Sequence, residues 1–305
     1  MFKKVYIPFP KEDWIVDRCV KEFISHTLHQ IVSTPQETSI VFLFAGWIWN
    51  QIPLEVLKIK KIIKTYHHCV PSKFNQQEFD FCEQFVDVYH VPNKHTNAFL
   101  KTKTAKKIIQ LPYWIDTTNF FPMEIDKEKL NLPKDKTIIG SFVRDTEGKD
   151  LITPKLEKDP VKLGDIFEKL DKNKYHILLS GHRRQYIISR LEKMKMPYTY
   201  LELYPNTNEL YNACDYYLSP SRFEGGPYSL LEAPLNKKTK ILSTDVGLAS
   251  EILHPSCLCH SVDEFVNKIE NNKIDHTIDY NYKSVQNFSI DRIVPLYDTM
   301  IENED

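Results

Sequence analysis

Short apolar runs alternate with amphipathic or polar stretches along the whole chain. The early runs are "KKVYIPF", "SIVFLFA", "KIIKTYHH", "FVDVYHV" and "KKIIQLP"; the later ones are "TIIGSFV", "YHILLSG", "YTYLEL", "DYYLSPS", "TKILSTD" and "SCLCHS". Near-continuous apolar strands separated by helical stretches predict βαβ units and parallel sheets, five strands in one and six in the other. Pro112–Lys136 carries three prolines and little periodicity, and reads as the linker between them. The expected fold class is α/β, with two doubly wound Rossmann-like domains, 1–118 and 119–288, facing a cleft. In such sheets ligands bind beyond the carboxyl ends of the strands. "FSIDRIVPLYDTMIENED" predicts a terminal helix over 289–305, with Ser289 at its N-cap and Asp291 in its first turn.

Length agrees with two domains: 305 residues exceed the usual size of one core. A formal net charge of -1 argues against nucleic acid as a partner. Two basic patches stand out locally, "KIKKIIK" (Lys58–Lys64) and "KTKTAKK" (Lys101–Lys107). Solvated faces are the first reading of both, and peripheral contact with an anionic membrane surface or acceptor is the second. No apolar run reaches the length of a membrane span, and "MFKKVYIPFPKEDW" lacks a signal-peptide core, so a cytoplasmic location is expected, with peripheral membrane contact left open. Six cysteines without C-x-x-C spacing suit a reducing compartment. "HPSCLCH" (His254–His260) reads as buried thiols next to a strand rather than a zinc site, because C-x-C is tight for one tetrahedral ion. His26 and His29 read as part of a solvent-facing helix, with a metal-binding face as the alternative.

Only eight glycines occur in the chain, yet two are adjacent in "SRFEGGPYSLLEA" (Ser221–Ala233). The stretch joins a strand to a helix, where adjacent glycines meet a need for positive φ or for close approach of backbone to a ligand. Ser229-Leu-Leu-Glu232 also fits a capping box, which explains two of its residues without any ligand. Glu224, the second glycine and a helix N-terminus aimed where such folds bind phosphates remain outside that account.

Asp215, Ser221, Glu224-Gly225, Pro227, Ser229, Glu232-Ala233, Asp245, Gly247 and Glu251 together resemble the signature of retaining glycosyltransferases of family 4, with its Glu-x7-Glu motif. "IIGSFVRD" (Ile138–Asp145) resembles the first strand of that family's C-terminal domain. The resemblance implies the GT-B fold, with an acceptor side in the N-terminal domain, a donor side in the C-terminal domain, and a terminal helix crossing back onto the first. It implies a nucleotide-diphosphate sugar, UDP- or GDP-linked, as donor and a glycan, lipid-linked or protein acceptor, with no cofactor and no metal. Arg144 and Lys158 would neutralise the departing diphosphate. Glu224 would hold a hydroxyl of the donor sugar, and Glu232 the ribose hydroxyls. Gly225, Gly226, Pro227, Tyr228, Ser229 and Leu230 would line the donor together with Ser141 and Lys155. Front-side attack, with the leaving phosphate helping to remove the acceptor proton, is the mechanism usually attributed to the family. His67 and His68 end a strand near where the family often carries a histidine against the donor sugar.

The chain departs from the pattern in places. Residues 145–157 read as an insertion before Lys158, with Lys155 and then Lys149 as alternatives for the diphosphate contact, and Asp159 stands where the family usually has glycine. "PFPKEDW" occupies the place of a glycine-rich loop after the first strand. No D-x-D, G-x-S-x-G or G-x-x-x-x-G-K-[ST] motif occurs. A nucleotide-sugar epimerase of the same fold and a non-catalytic nucleotide-sugar-binding subunit are the alternatives to transfer.

Overall fold

The computed structural model describes residues 2–12, 15–148 and 150–304. The chain divides into two compact units, Met1–Trp114 with Phe288–Asp305, and Ile115–Asn287. The expected α/β class with doubly wound parallel sheets is the observed one.

The first unit contains β1 (Lys4–Tyr6), β2 (Gln30–Ile31), β3 (Ile40–Leu43), β4 (Lys61–Thr65), β5 (Val88–Val91) and β6 (Lys107–Gln110) in the order β2-β1-β3-β4-β5-β6. Its strand pairs are parallel. β3, β4 and β5 are central and covered on both faces, which is why they are apolar without alternation. β2 is one strand more than the sequence predicts. At two residues it carries no pattern of its own and is recruited by Gln30 N donating to Lys3 O and Val32 N to Val5 O.

The helix Ile290–Glu302 belongs to this unit. It starts after Ser289, whose side chain makes no capping hydrogen bond. Tyr297 packs against Trp114 and Phe23, and its hydroxyl lies 3.1 Å from Pro112 O. Asp298 accepts from Leu28 N, and Glu304 pairs with Lys61 and Lys107. The helix Ile15–His26 ends before His29, so the two histidines do not share a helical face. His29 is buried, with Nε2 3.1 Å from Asp298 O.

The second unit contains β7 (Thr137–Ser141), β8 (Tyr175–Ser180), β9 (Tyr198–Leu201), β10 (Tyr216–Ser219) and β11 (Lys240–Ser243), all parallel, in the order β11-β10-β7-β8-β9. The run "SCLCHS" does not become a sixth strand. Pro255 sets a 3-10 turn just before it and Ser261 caps a helix just after it, leaving a single parallel bridge, Ser243 to Leu258. Cys257 and Cys259 are buried free thiols. The chain runs β7 to β9 on one side of β7 and returns to lay β10 and β11 on the other. The strand order therefore reverses at β7 and β10, and their carboxyl ends are the switch point where doubly wound sheets bind ligands.

Segment 112–136 forms no helix or strand, yet it is packed rather than loose. Trp114 is fully buried in the first unit with its indole donating to Glu22, and Leu130 and Leu132 join a core cluster of the second. Among the described residues no helix is long and apolar enough to cross a membrane.

Candidate functional site

The loops leaving β7 and β10 meet a third segment, Lys155–Asp159, that leads into the helix Pro160–Glu168. Lys158 N and Asp159 N both donate to Lys155 O, closing a tight turn, and Asp159 adopts φ 46, ψ 57. That is the left-handed conformation a glycine would supply, and aspartate is among the few other residues that tolerate it. Asp159 also uses its carboxylate twice: it accepts from Lys162 N as the helix N-cap and holds Arg222 through Nε at 2.6 Å and Nη2 at 3.2 Å. Arg222 N and Phe223 N donate to Glu157 O, so the segment and the β10 loop are fastened along their length.

This fastening brings two of the residues singled out from sequence together. Lys158 Nζ donates to Glu224 Oε1 at 2.5 Å, and Ser221 Oγ donates to the same oxygen at 2.8 Å. Lys155 is half-buried nearby. Burial first, then the Arg144 and Lys158 cations, hold its ammonium below the usual lysine range, with Glu157 and Glu224 opposing. Arg144 is half-buried, and among the described residues its guanidinium has no hydrogen-bond or ion-pair partner. Three cations therefore gather around two carboxylates, leaving positive charge uncompensated. Lys149 lies outside the described residues.

The loop that carries Arg144 is held from beneath by a residue the sequence does not single out. Arg184 is fully buried. Its guanidinium donates to Asp145 Oδ2 at 3.2 Å, to Ser180 O at 3.0 Å and to Ser141 O. Burial pushes the Asp145 carboxyl up, while Arg184 and the amides of Ile187 and Tyr186 pull it down. Ser141 is fully buried and engaged by this guanidinium. The 145–157 excursion closes on itself through a bridge between Thr146 and Pro154 and through Lys155 N donating to Asp145 O, which returns Lys155 to the neighbourhood of Arg144.

The glycine pair is not there for positive φ. The left-handed glycines are Gly148, Gly181 and Gly247. Gly247 supports the β10 loop from behind, because a Cβ there would lie 2.9 Å from Pro227 Cδ and 3.1 Å from Gly225 O. The capping box does not form either. Pro227 is the N-cap of the helix Tyr228–Glu232, so Ser229 falls inside it and not at the cap position. Glu232 is buried and accepts instead from the hydroxyl of Tyr211 at 2.8 Å. Leu230 faces the core, and its amide donates to Pro227 O. At five residues the helix has a small dipole. Asp215 serves the sheet, accepting from Ile138 N at 2.8 Å.

His67 and His68 belong to the first unit. His67 sits among Phe44, Trp47 and Tyr113, with Nε2 2.8 Å from Phe44 O and Nδ1 against the Tyr113 hydroxyl. Burial lowers its pKa to about 3, with the Phe44 carbonyl opposing. His68 is exposed. Among the described residues no group of three or more His, Cys, Asp or Glu is arranged to hold a metal ion.

Two parallel doubly wound units with this connectivity make up the fold of the GT-B glycosyltransferases. Superposition on HepE from Anabaena, solved with UDP and glucose, gives a TM-score of 0.77 at 13% identity over 99% of this chain and 100% of that one. A glycosyltransferase from Rickettsia africae gives 0.69 at 14% identity over 99% of each chain. Sucrose-phosphate synthase from Thermosynechococcus elongatus gives 0.71 at 16%, over 87% of this chain and 73% of that one. No protein-family model and no curated protein sequence matches the chain.

Proposed function

We propose that the chain is a retaining glycosyltransferase that moves a sugar from a nucleotide-diphosphate donor to a glycan, lipid-linked or protein acceptor. The observation that carries this reading is the cation surplus of Arg144, Lys155 and Lys158 around Glu224, at the switch point of the second unit. Cleavage of a sugar–diphosphate bond builds negative charge on the departing oxygen. A helix dipole offers only ~0.3–1 kcal/mol against the ~8–23 kcal/mol by which enzymes commonly lower barriers. Fixed cations in a poorly hydrated site act more strongly, because little solvent screens them.

In this reading Arg144 and Lys158 meet the diphosphate, and Lys155 adds to the field. Glu224, freed in part from Lys158 when phosphate arrives, holds a hydroxyl of the donor sugar. Glu232, oriented by Tyr211, holds the ribose hydroxyls. Gly225 and Gly226 carry no side chain that could obstruct the donor, with Tyr228 and Ser229 beside them. No step calls for a metal or a protein nucleophile. HepE was solved with UDP and, separately, with UDP-glucose, which supports UDP as the first nucleotide to test.

Thermal denaturation with UDP, GDP and ADP tests the reading directly. At a hundredfold excess over Kd the matching nucleotide adds about 2.7 kcal/mol, a rise on the order of 5–10 °C for a unit of this size. Glu232→Gln is expected to weaken that rise. Arg144→Ala is expected to reduce turnover of the sugar nucleotide by far more than it reduces nucleotide binding. No stabilisation by any of the three nucleotides would overturn the assignment.

A further inference from the structure

The basic run Lys58–Lys64 reads in sequence as a solvated face, but its last lysine is not on the surface. Lys64 lies in the central strand β4 and is only 9% exposed, paired in register with Leu43 on one side and Tyr89 on the other. Among the described residues its ammonium has one hydrogen-bond partner, the Cys82 thiol at 3.0 Å, and one aromatic neighbour, the Trp49 ring at 5.8 Å. Among the described residues no carboxylate pairs with it. A buried ammonium is ordinarily paired with an anion, and a thiol with one ring face is a poor substitute for its lost water.

Lys64 also lines a cavity of about 300 Å³ within the first unit, beyond the carboxyl ends of β3 and β4. Trp47 and Trp49 reach the cavity from the 3-10 turn Gly46–Gln51 that follows β3. That turn lies against β4 so closely that a Cβ on Gly46 would stand 2.1 Å from Thr65 O. Tyr66 and Phe74 extend the aromatic wall, with Lys73 and Glu78 exposed at its edge and His68 beside them. Aromatic walls with a few placed polar groups are the usual make-up of a small-ligand site, and one desolvated cation among them selects for an anionic group.

We propose that this cavity binds a saccharide carrying a carboxylate or a phosphate, the anionic group meeting Lys64 Nζ and the sugar ring lying against the tryptophans. A lysine serves either anion, because it acts as a point charge and not as a planar fork. The inference names the acceptor chemistry of the transferase reading, and rests on that reading for the ligand's role as acceptor but not for its binding.

Titration of the full chain with glucuronate, glucose 1-phosphate and glucose, followed by tryptophan emission and calorimetry, tests it, with UDP titrated in parallel. At least one of the two anionic sugars is expected to bind ten times more tightly than glucose, and which one does identifies the anion. Lys64→Met keeps the length of the side chain. It is expected to hold or raise the melting temperature, leave UDP binding unchanged and erase the preference for the anionic sugar. Trp47→Leu, at an exposed ring, is expected to weaken all three sugars alike. Equal affinity for glucose and both acids, or an undiminished preference in Lys64→Met, would overturn the inference. If UDP binds and neither acid does, this inference fails alone. If an acid binds with the Lys64 dependence and UDP does not, the cavity stands and the transferase reading falls.

Discussion

Replacing Arg184 by methionine keeps most of the side-chain volume and removes only the guanidinium. In the structure that group is fully buried and serves Asp145 Oδ2, Ser141 O and Ser180 O at once. Its loss strands a carboxylate whose second oxygen already lacks a hydrogen-bond partner, and leaves two carbonyls without this donor. Breaking a buried pair by deleting one member typically destabilises by ~3–5 kcal/mol, and the orphaned carbonyls do not allow the lower end. About 4 kcal/mol is the expected loss, a large part of the ~5–15 kcal/mol a domain has. With a urea slope of about 2 kcal/mol per molar, the midpoint of the second unit falls by about 2 M. The assay is urea denaturation followed by far-UV circular dichroism and by tryptophan emission. All four tryptophans fall at or before position 114, so emission reports the first unit. Asp145→Asn in the Arg184→Met background removes the stranded charge and is expected to recover at least ~1 kcal/mol, measured as a double-mutant cycle. A single variant within about 1 kcal/mol of the parent, or strict additivity in the cycle, would refute the claim that this pair anchors the Arg144 loop.

Two further outcomes follow from the geometry. Gly247→Ala places a Cβ at φ +56 and against Pro227 Cδ and Gly225 O, ring and backbone atoms that must themselves shift. The conformation alone costs about 1–2 kcal/mol, so the melting temperature falls and nucleotide binding weakens together; a fall in stability with intact binding would separate the β10 loop from the donor. Acid denaturation is the second. Burial holds His67 at about 3 and His90 at about 4 in the first unit, and His176 at about 4 in the second. Each imidazole is neutral when folded and takes up a proton near its ordinary 6.5 when unfolded. Stability is therefore lost as pH falls below ~6.5 and levels off only near the folded values. Between about pH 5.5 and 5 these three histidines contribute a slope of about 2.5 kcal/mol per pH unit in the first unit and about 1.2 in the second, shrinking as pH nears the folded values. Urea midpoints from tryptophan emission that stay level from pH 7 to 4.5 would contradict this.

The parallel sheets are legible in the sequence because central strands of such sheets are apolar on both faces and need no partner to be noticed. β2 is not legible: two residues carry no period, and only its bonds to Lys3 and Val5 make it a strand. The run around Cys257 and Cys259 has strand composition but lies between Pro255 and the Ser261 cap, so local geometry overrides propensity. Ser229 and Glu232 have the spacing of a capping box, yet Pro227 takes the N-cap and Tyr211, 21 residues away in sequence, takes the glutamate. Arg183 and Arg184 are indistinguishable as letters. One bonds Gly148 O at the surface and the other is the buried pillar under the site, a difference set by tertiary packing alone. Lys64 is hidden in the same way inside a basic run.

These failures share a cause that bears on how the proposed donor site would work. The three cations at the switch point repel one another, and Lys155 already registers the repulsion. Left on unconstrained loops they would separate into solvent. They stay close because other pairs do the fastening: Asp145 with Arg184 under the β7 loop, and Asp159 with Arg222 across to the β10 loop. Both fastening carboxylates are fully buried, and both are fixed by contacts distant in sequence. The working charges can then remain incompletely paired, with Glu224 as a partial counter-ion that, in the proposed reaction, an arriving phosphate would displace from Lys158. Weakening an anchor should therefore damage anion binding without altering any residue that touches the anion, which is why Arg184 rather than Arg144 is the sharper test of the architecture.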